Sequence, residues 1–321
     1  MLLMAPRITP EDRVLGCLLG GAVGDALGYQ VEFHSWPEIV DEWGPGGVTE
    51  LRRNRVSDDT QMTLFTAEGL LEAGDGDRFE SVRRAYLRWY VTQTEPMPPL
   101  GARGLAAETW LYARRAPGNA CLTGLAQGGR SGVNPDSKGC GTVMRSAPFG
   151  LLADSPAEAF ELAGACSAIT HGHPTAAEAA GAFAMMIAAL MRGRSPQRAV
   201  SEAMLHLRRS LDASETLDAL RRAYELAGNL PVGPNSTESL GQGWVAEEAL
   251  AIAVYCFLGT GDVRRALIAS VSHAGDTDST GAILGNLLGT AYGHRALPAE
   301  WTAAVEGRET AAALAERICS R

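Results

Sequence analysis

Two short stretches of this 321-residue chain crowd carboxylates and hydroxyls together: Ser57-Asp58-Asp59-Thr60 and Asp276-Thr277-Asp278-Ser279-Thr280. Each opens a segment of small and apolar residues with helical periodicity, so each sets its acids at a helix start. One acid at such a position is explained by capping and by the helix dipole. Two neighbouring acids repel unless a cation or several donors satisfy both. Oxygen donors without a Cys or His cluster suit a hard divalent ion, Mg²⁺, Mn²⁺ or Ca²⁺, rather than zinc. The four carboxylates of Asp58, Asp59, Asp276 and Asp278 would balance two such ions, which together can clamp and activate a water. The bland alternative is an Asp/Ser cap on each of two buried helices. The recurrence of the pattern favours the metal.

Three further features carry chemistry. Glu32 follows a glycine-rich helical segment and sits in its exit loop, where side chains are free to converge on a site. Asp25, inside that segment, reads as structural, bonded to a neighbouring helix end. Gly139-Cys140-Gly141 precedes a helical stretch and permits close backbone approach, with N–H groups that could face a phosphate; a tight turn is the plainer reading. His171-Gly172-His173 resembles a metal pair, but its Gly and Pro neighbours mark a turn and favour a hydrogen-bonded histidine. Asp276-Thr277-Asp278-Ser279-Thr280 also fits the D-x-D-x-T signature of haloacid-dehalogenase-type phosphatases. That signature follows a buried strand within a βαβ series, and no such series surrounds it here.

The elements that must position these groups are helices. Gly16, Gly20, Gly24 and Gly28 recur at every fourth residue, as do Gly281, Gly285, Gly289 and Gly293. On a helix each set forms one smooth stripe, and each interior glycine costs about 1 kcal/mol against alanine. Two such stripes at opposite ends of the chain predict two helices in close contact. The periodicity and capping signals predict helices from Thr9-Pro10 to Gly28, over 63–71, 78–91 and 101–115, from Ser155 to about Thr170, in the Ala-rich stretch after Thr175, then over 196–209, 214–228, 244–258 and 262–271. Pro298 begins a last short pair. Residues 35–56 and the glycine-rich 124–132 read as loop. No alternating strands, solenoid repeat or interdomain linker stands out, so the chain reads as all-α: one compact multi-helix domain over 1–321.

The totals are those of an ordinary globular protein: 46% hydrophobic, 20% charged, net charge −9. Without a basic run, bulk charge gives no reason to expect a nucleic-acid ligand. The six cysteines show no C-x-x-C and no close framework, which reads as reduced thiols and a cytoplasmic protein. The apolar start is too short for a signal peptide, and the longest apolar segments fall short of a membrane span.

Taken together, Gly20-Gly21-Ala22-Val23-Gly24-Asp25-Ala26-Leu27-Gly28 with Glu32, Ser57-Asp58-Asp59-Thr60, Gly139-x-Gly141-x-x-Met144-Arg145, Thr170-His171, Gly243-Trp244-Val245-Ala246-Glu247-Glu248 and Asp276-Thr277-Asp278-Ser279-Thr280-Gly281 resemble the ADP-ribosylglycohydrolase family across nearly the whole chain. The resemblance implies an all-α enzyme with two Mg²⁺ (or Mn²⁺) ions. It places the metal ligands at Ser57, Asp58, Asp59, Asp276, Asp278 and Ser279, and catalytic roles at Glu32, Asp58 and Asp278. It lines the ADP-ribose pocket with Ser137, Lys138, Gly139, Cys140, Gly141, Met144 and His171. The implied reaction is hydrolysis of the N- or O-glycosidic bond between ribose C1″ and an acceptor, commonly arginine. The implied partner is an ADP-ribosylated protein or small-molecule conjugate, with an ADP-ribosylated nucleic acid also admissible. A non-catalytic ADP-ribose-binding or structural protein on the same fold is the alternative. Two departures bear on the substrate: Ser137-Lys138-Gly139-Cys140-Gly141 replaces an Asn-rich loop, and His273 stands where a Gly-Gly pair is common, which places it at the entrance.

Overall fold

The computed structural model describes residues 8–210 and 214–321, and among these residues the regular structure is helical throughout. In chain order the helices are α1 (Pro10–Gly28), α2 (Trp36–Trp43), α3 (Asp58–Ala73), α4 (Arg78–Thr94), α5 (Asn119–Ala126), α6 (Ala147–Leu152), α7 (Pro156–Ser167) and α8 (Pro174–Met191). They continue with α9 (Pro196–Leu207), α10 (Ser214–Asn229), α11 (Pro234–Glu238), α12 (Ala246–Gly259), α13 (Val263–Ser270), α14 (Thr277–Tyr292), α15 (Ala299–Ala304) and α16 (Arg308–Cys319). A single antiparallel bridge, Gly139 to Val245, replaces any sheet among the described residues.

The central pair is α1 with α14, packed antiparallel and backbone to backbone. A methyl carbon placed on Gly16, Gly20 or Gly24 would stand under 3.0 Å from the carbonyl oxygen of Gly289, Gly285 or Gly281 respectively. The two stripes expected from the sequence are therefore one interface. Polar ties hold its register at both ends. Thr277 Oγ1 donates to the last carbonyl of α1, Gly28 O, at 2.8 Å, and Arg13 donates to Thr290 O and Ala291 O at the far end of α14, at 2.6 and 2.8 Å. Midway, Asn286 Nδ2 donates to Cys17 O at 2.7 Å. One continuous apolar core surrounds this pair and takes in most of α8 and α12. By length and composition α8 is apolar enough to cross a membrane, unlike the expectation above, but 78% of it is buried inside the fold.

Local signals explain most helix starts. Thr9 Oγ1 accepts from Asp12 N–H at 3.1 Å and Asp12 reciprocates, with Pro10 in the first turn. The same chemistry makes α2, where Ser35, Pro37 and Glu38 form a capping box inside a stretch expected to be loop. The helix expected over 101–115 is absent, leaving two short turns at Gly104–Ala107 and Thr109–Leu111. Gly101 and Gly104 there adopt φ of +83° and +59°, and the buried Glu68 carboxylate captures Leu105 N–H at 2.7 Å. A tertiary acceptor thus outcompetes local helix formation. Helix α5, which runs into the glycine-rich 124–132 stretch, and α11 arise where the sequence predicted no helix.

The α1–α14 contact makes a direct prediction. Alanine for a helical glycine ordinarily stabilises by up to about 1 kcal/mol, and Gly228→Ala on α10, where a methyl meets open space, should follow that rule. Gly285→Ala should reverse it, lowering unfolding free energy by at least about 2 kcal/mol through overpacking. Chemical denaturation of the two variants beside the parent checks this; equal midpoints would remove the interface from its central place.

Candidate active site

The two acid clusters meet where the N-termini of α3 and α14 reach the C-terminal end of α1. Asp25 on α1 does the joining for α3. Its carboxylate accepts Ser57 N–H at 2.9 and 3.1 Å, Thr60 N–H at 3.0 Å and the Thr60 hydroxyl at 2.5 Å. Ser57 Oγ takes a further donor, Asp59 N–H, at 3.2 Å. The first turn of α3 is thus capped largely from another helix, which leaves Asp58 and Asp59 free to turn outward. Arg115 braces the same start: its carbonyl accepts Asp58 N–H at 3.1 Å, and its guanidinium spans Val56 O and the Glu306 carboxylate. At α14, Asp276 caps Ser279 N–H at 3.3 Å while its own N–H bonds to Gln242 O at 2.8 Å. Gly275 turns the chain into this helix at φ +131°, with Gln242 O too close for any side chain.

Glu32 closes the cluster from the turn after α1. Ligand oxygens of Glu32, Asp276 and Asp278 all lie within 4.8 Å of one another. The floor they form opens into a cavity of about 480 Å³, within the range for small-molecule sites. Asp58, Asp59 and Ser279 share the floor; Ser137, Gly139, Cys140, Gly141, Met144 and His171 form one wall. Gly118, Asn119 and Ala120, at the start of α5, form another wall that sequence patterning missed. Phe33 and Trp244 mark the mouth, 71% and 41% exposed, with rings stacked at 6.4 Å. Phe33 directly follows Glu32 and Trp244 directly follows Gly243, and those neighbours were the available signals.

Other expected residues fall differently. Ser57 is fully buried and does not line the cavity, but its hydroxyl lies against Asp278 beneath the floor. Lys138 also lies outside the lining: its ammonium is held by Glu247 at 2.5 Å and Glu215 at 3.0 Å. In the 137–141 loop, Cys140 N–H is spent on Trp244 O and Ser137 N–H on Asn134 O. The glycines there serve closeness: a methyl on Gly139 or Gly141 would press on the His171 ring. His273 is not at the entrance. It is wholly buried in the α13–α14 turn, where its ring bonds to Ser270 O, Ala274 O and Thr280.

The electrostatics of the floor are severe. Asp25, Glu32, Asp58, Asp59, Asp276 and Asp278 are all buried, and among the described residues none is ion-paired. Burial, then the charge of Asp278, pushes Asp58 and Asp59 well above the usual carboxylate range. Burial and Asp276 likewise push Asp278 well above that range. Asp276 itself is raised by burial. Asp25 reaches about 7, raised by burial and Asp278 against its hydroxyl and backbone donors. Glu32 reaches about 11, through burial first and then Asp278, Asp276, Asp58 and Asp25. Glu32 Oε2 and Asp59 Oδ2 have no partner at all. Orphaned carboxylate oxygens facing an all-oxygen cluster fit a site for hard divalent cations, which would satisfy both atoms and cancel the repulsion. Cys140 supplies the one thiol, donating to Asp276 Oδ2.

Comparison with known proteins gives the family of the chain. The family model for ADP-ribosylglycohydrolases matches residues 6–321. The ADP-ribosyl-[dinitrogen reductase] glycohydrolase of Rhodospirillum rubrum is 28% identical over 306 residues, covering 91% of this chain and 89% of its own length. The ADP-ribosylarginine hydrolase Tri1 of Pseudomonas putida is 24% identical, covering 99% of this chain and 81% of its own length. A solved structure described as an ADP-ribosylglycohydrolase-related protein complex superposes with a TM-score of 0.69 at 29% identity, over 96% of this chain and 97% of that one.

The crowded acids set the pH dependence of the metal-free protein. Their folded-state pKa values lie above the unfolded ones, so the stability they contribute is fully present below about pH 4. It is lost as pH rises through the folded values, about 7 for Asp25 and about 11 for Glu32. In chelator, Asp58→Asn should therefore stabilise the protein at pH 8 by about 1–3 kcal/mol, and by less at pH 5. Thermal melts at both pH values check it; no gain at pH 8 would mean that the cluster is not under charge strain.

Proposed function

This chain belongs to the ADP-ribosylglycohydrolase family, and from that premise we propose that it is a divalent-metal-dependent hydrolase that removes ADP-ribose from a modified side chain. The observation that carries the reading is the buried, unpaired acid floor with two orphaned oxygens, Glu32 Oε2 and Asp59 Oδ2, at the base of a nucleotide-sized cleft. Arginine is the favoured acceptor, supported by the relative whose name specifies ADP-ribosylarginine. The proposed ligands of two Mg²⁺ (or Mn²⁺) ions are Asp58, Asp59, Asp276, Asp278 and the Ser57 and Ser279 hydroxyls, with Glu32 beside them. Bound there, the ions would polarise sugar hydroxyls and water and offset four carboxylate charges.

The residues of the chain do the rest. Asp25 and Asp276 hold the two helix starts in register, so the floor is organised before a ligand arrives. The wall of Gly139, Gly141 and His171 orients the sugar phosphate, and Phe33 and Trp244 cover the mouth. Glu32, free of protein partners and relieved by bound cations of the repulsion that otherwise keeps it protonated, would take the proton from the water that attacks C1″. The C1″–acceptor bond breaks as the C1″–oxygen bond forms, and the proton passes to the leaving atom, giving ADP-ribose and the unmodified side chain.

Asp58→Asn and Asp278→Asn should each lower hydrolysis of ADP-ribosyl-arginine by more than about 100-fold and weaken Mn²⁺ binding. Release of ADP-ribose, assayed with chelator and again with Mg²⁺ or Mn²⁺ restored, is the test. Undiminished turnover in either variant, or in chelator, would overturn the metal assignment. Tight ADP-ribose binding without turnover would favour a non-catalytic binding protein.

A further inference from the structure

Behind the cleft wall lies a charge that the proposed reaction does not use. Arg145 is 1% exposed, yet among the described residues no carboxylate pairs with it. Its Nη2 donates to Thr170 Oγ1 at 2.7 Å and its Nη1 to Cys121 Sγ at 3.4 Å and Met62 Sδ at 3.6 Å. The guanidinium carbon stands 4.4 Å from the Tyr86 ring centroid, a cation–π contact. A buried arginine served only by a hydroxyl, two sulfurs and an aromatic face is costly unless it organises something.

Thr170 Oγ1 also lies 2.8 Å from His171 Nδ1. Arginine can only donate, so Thr170 Oγ1 accepts from Arg145 and needs an acceptor for its own proton. The rival acceptor, Cys121 Sγ, is a weak one and already receives Arg145 Nη1–H. The imidazole Nδ1 is the strong one. A lone pair must then sit on Nδ1, and the neutral ring carries its proton on Nε2. The other protonation state is opposed as well: burial and the nearby Arg145 charge push the imidazole down to about 3. No described residue accepts from Nε2. The ring edge carrying it borders Gly139 and Gly141, whose missing side chains leave it open to the cavity.

We propose that Arg145 and Thr170 are positioning residues that hold His171 in its neutral Nε2–H form, so that the cleft presents a fixed hydrogen-bond donor to an acceptor oxygen of the bound sugar phosphate. This inference rests on the ADP-ribosyl reading of the cleft for the ligand, but not for the relay itself. It separates the two ends of the cavity chemically. The acid floor takes cations, and the His171 wall takes an oxygen that accepts.

The test is nitrogen-15 NMR of histidine-labelled full-length protein, with the His171 signals identified by their loss in His171→Gln. In the ligand-free parent at neutral pH, the ring should show the Nε2–H tautomer. Thr170→Val should abolish that preference and weaken binding of ADP-ribose by about tenfold, while Thr170→Ser restores both. An Nδ1–H tautomer or an imidazolium in the parent overturns the proposal without need of any variant. So does a Thr170→Val protein that keeps the tautomer. If the tautomer responds as expected but ADP-ribose affinity does not, the donor role toward the ligand is overturned. If the parent itself does not bind ADP-ribose while the relay behaves as described, the assigned ligand fails and the relay stands.

Discussion

Helices α1 and α14 touch along their backbones, and the rest of the molecule is arranged around that contact. Glycine against glycine leaves no side chain to absorb a change in spacing, and a methyl on any of the facing glycines would collide with the backbone of the opposite helix. The cost is the conformational freedom that each glycine loses on folding. The return is a rigid axis whose two functional ends are defined together. Thr277 bonded to Gly28 O brings the acid-rich start of α14 directly onto the exit of α1, from which Glu32 departs.

That axis concentrates charge where a relaxed protein would disperse it. Asp25 is buried in α1 and accepts from three donors at the start of α3, the Ser57 and Thr60 N–H groups and the Thr60 hydroxyl, so α3 cannot retreat from α14 without breaking these bonds. Arg115 and Glu306 brace the same turn from outside. Asp58, Asp59, Asp276 and Asp278 are consequently held close by helix starts that are tied to one another through Asp25 and Thr277. In such a frame, repulsion cannot be relieved by movement. It is relieved by protons or by cations. An enzyme that prepares its electrostatics before its ligand arrives avoids reorganising during the reaction.

The opposite wall of the cleft follows a different logic. Its charge, on Arg145, is hidden behind Thr170 and His171 and reaches the cavity only as the orientation of neutral donors and acceptors. Lys138, the cation that the loop advertises, is occupied by Glu215 and Glu247 and ties α10 and α12 to the loop instead. A cleft with clustered carboxylates at one end and, on the proposed reading, a neutral donor at the other would suit a ligand whose sugar hydroxyls and phosphate oxygens lie at different ends of one molecule.

Much of this was legible in the linear sequence. The paired acids announced themselves because like charges at two helix starts demand an explanation that local structure does not provide. The fourfold glycine spacing announced a helix contact because only close packing offsets its cost. Asp25 read as a tie to a neighbouring helix end, and so it is. Local chemistry also contained α2, in the Ser35 and Glu38 box, although the loop-like composition around it concealed the signal. Other features were decided only by tertiary structure. The 101–115 segment loses its helix to the Glu68 carboxylate, 37 residues from Leu105 in sequence. Lys138 is turned aside by acids on distant helices. Residue type and spacing determine which groups are available and which helices carry them, because those depend on local backbone geometry. Which way each side chain faces depends on the partners that other segments supply, and in this protein the decisive partners of Asp25, Arg145 and Lys138 lie far along the chain.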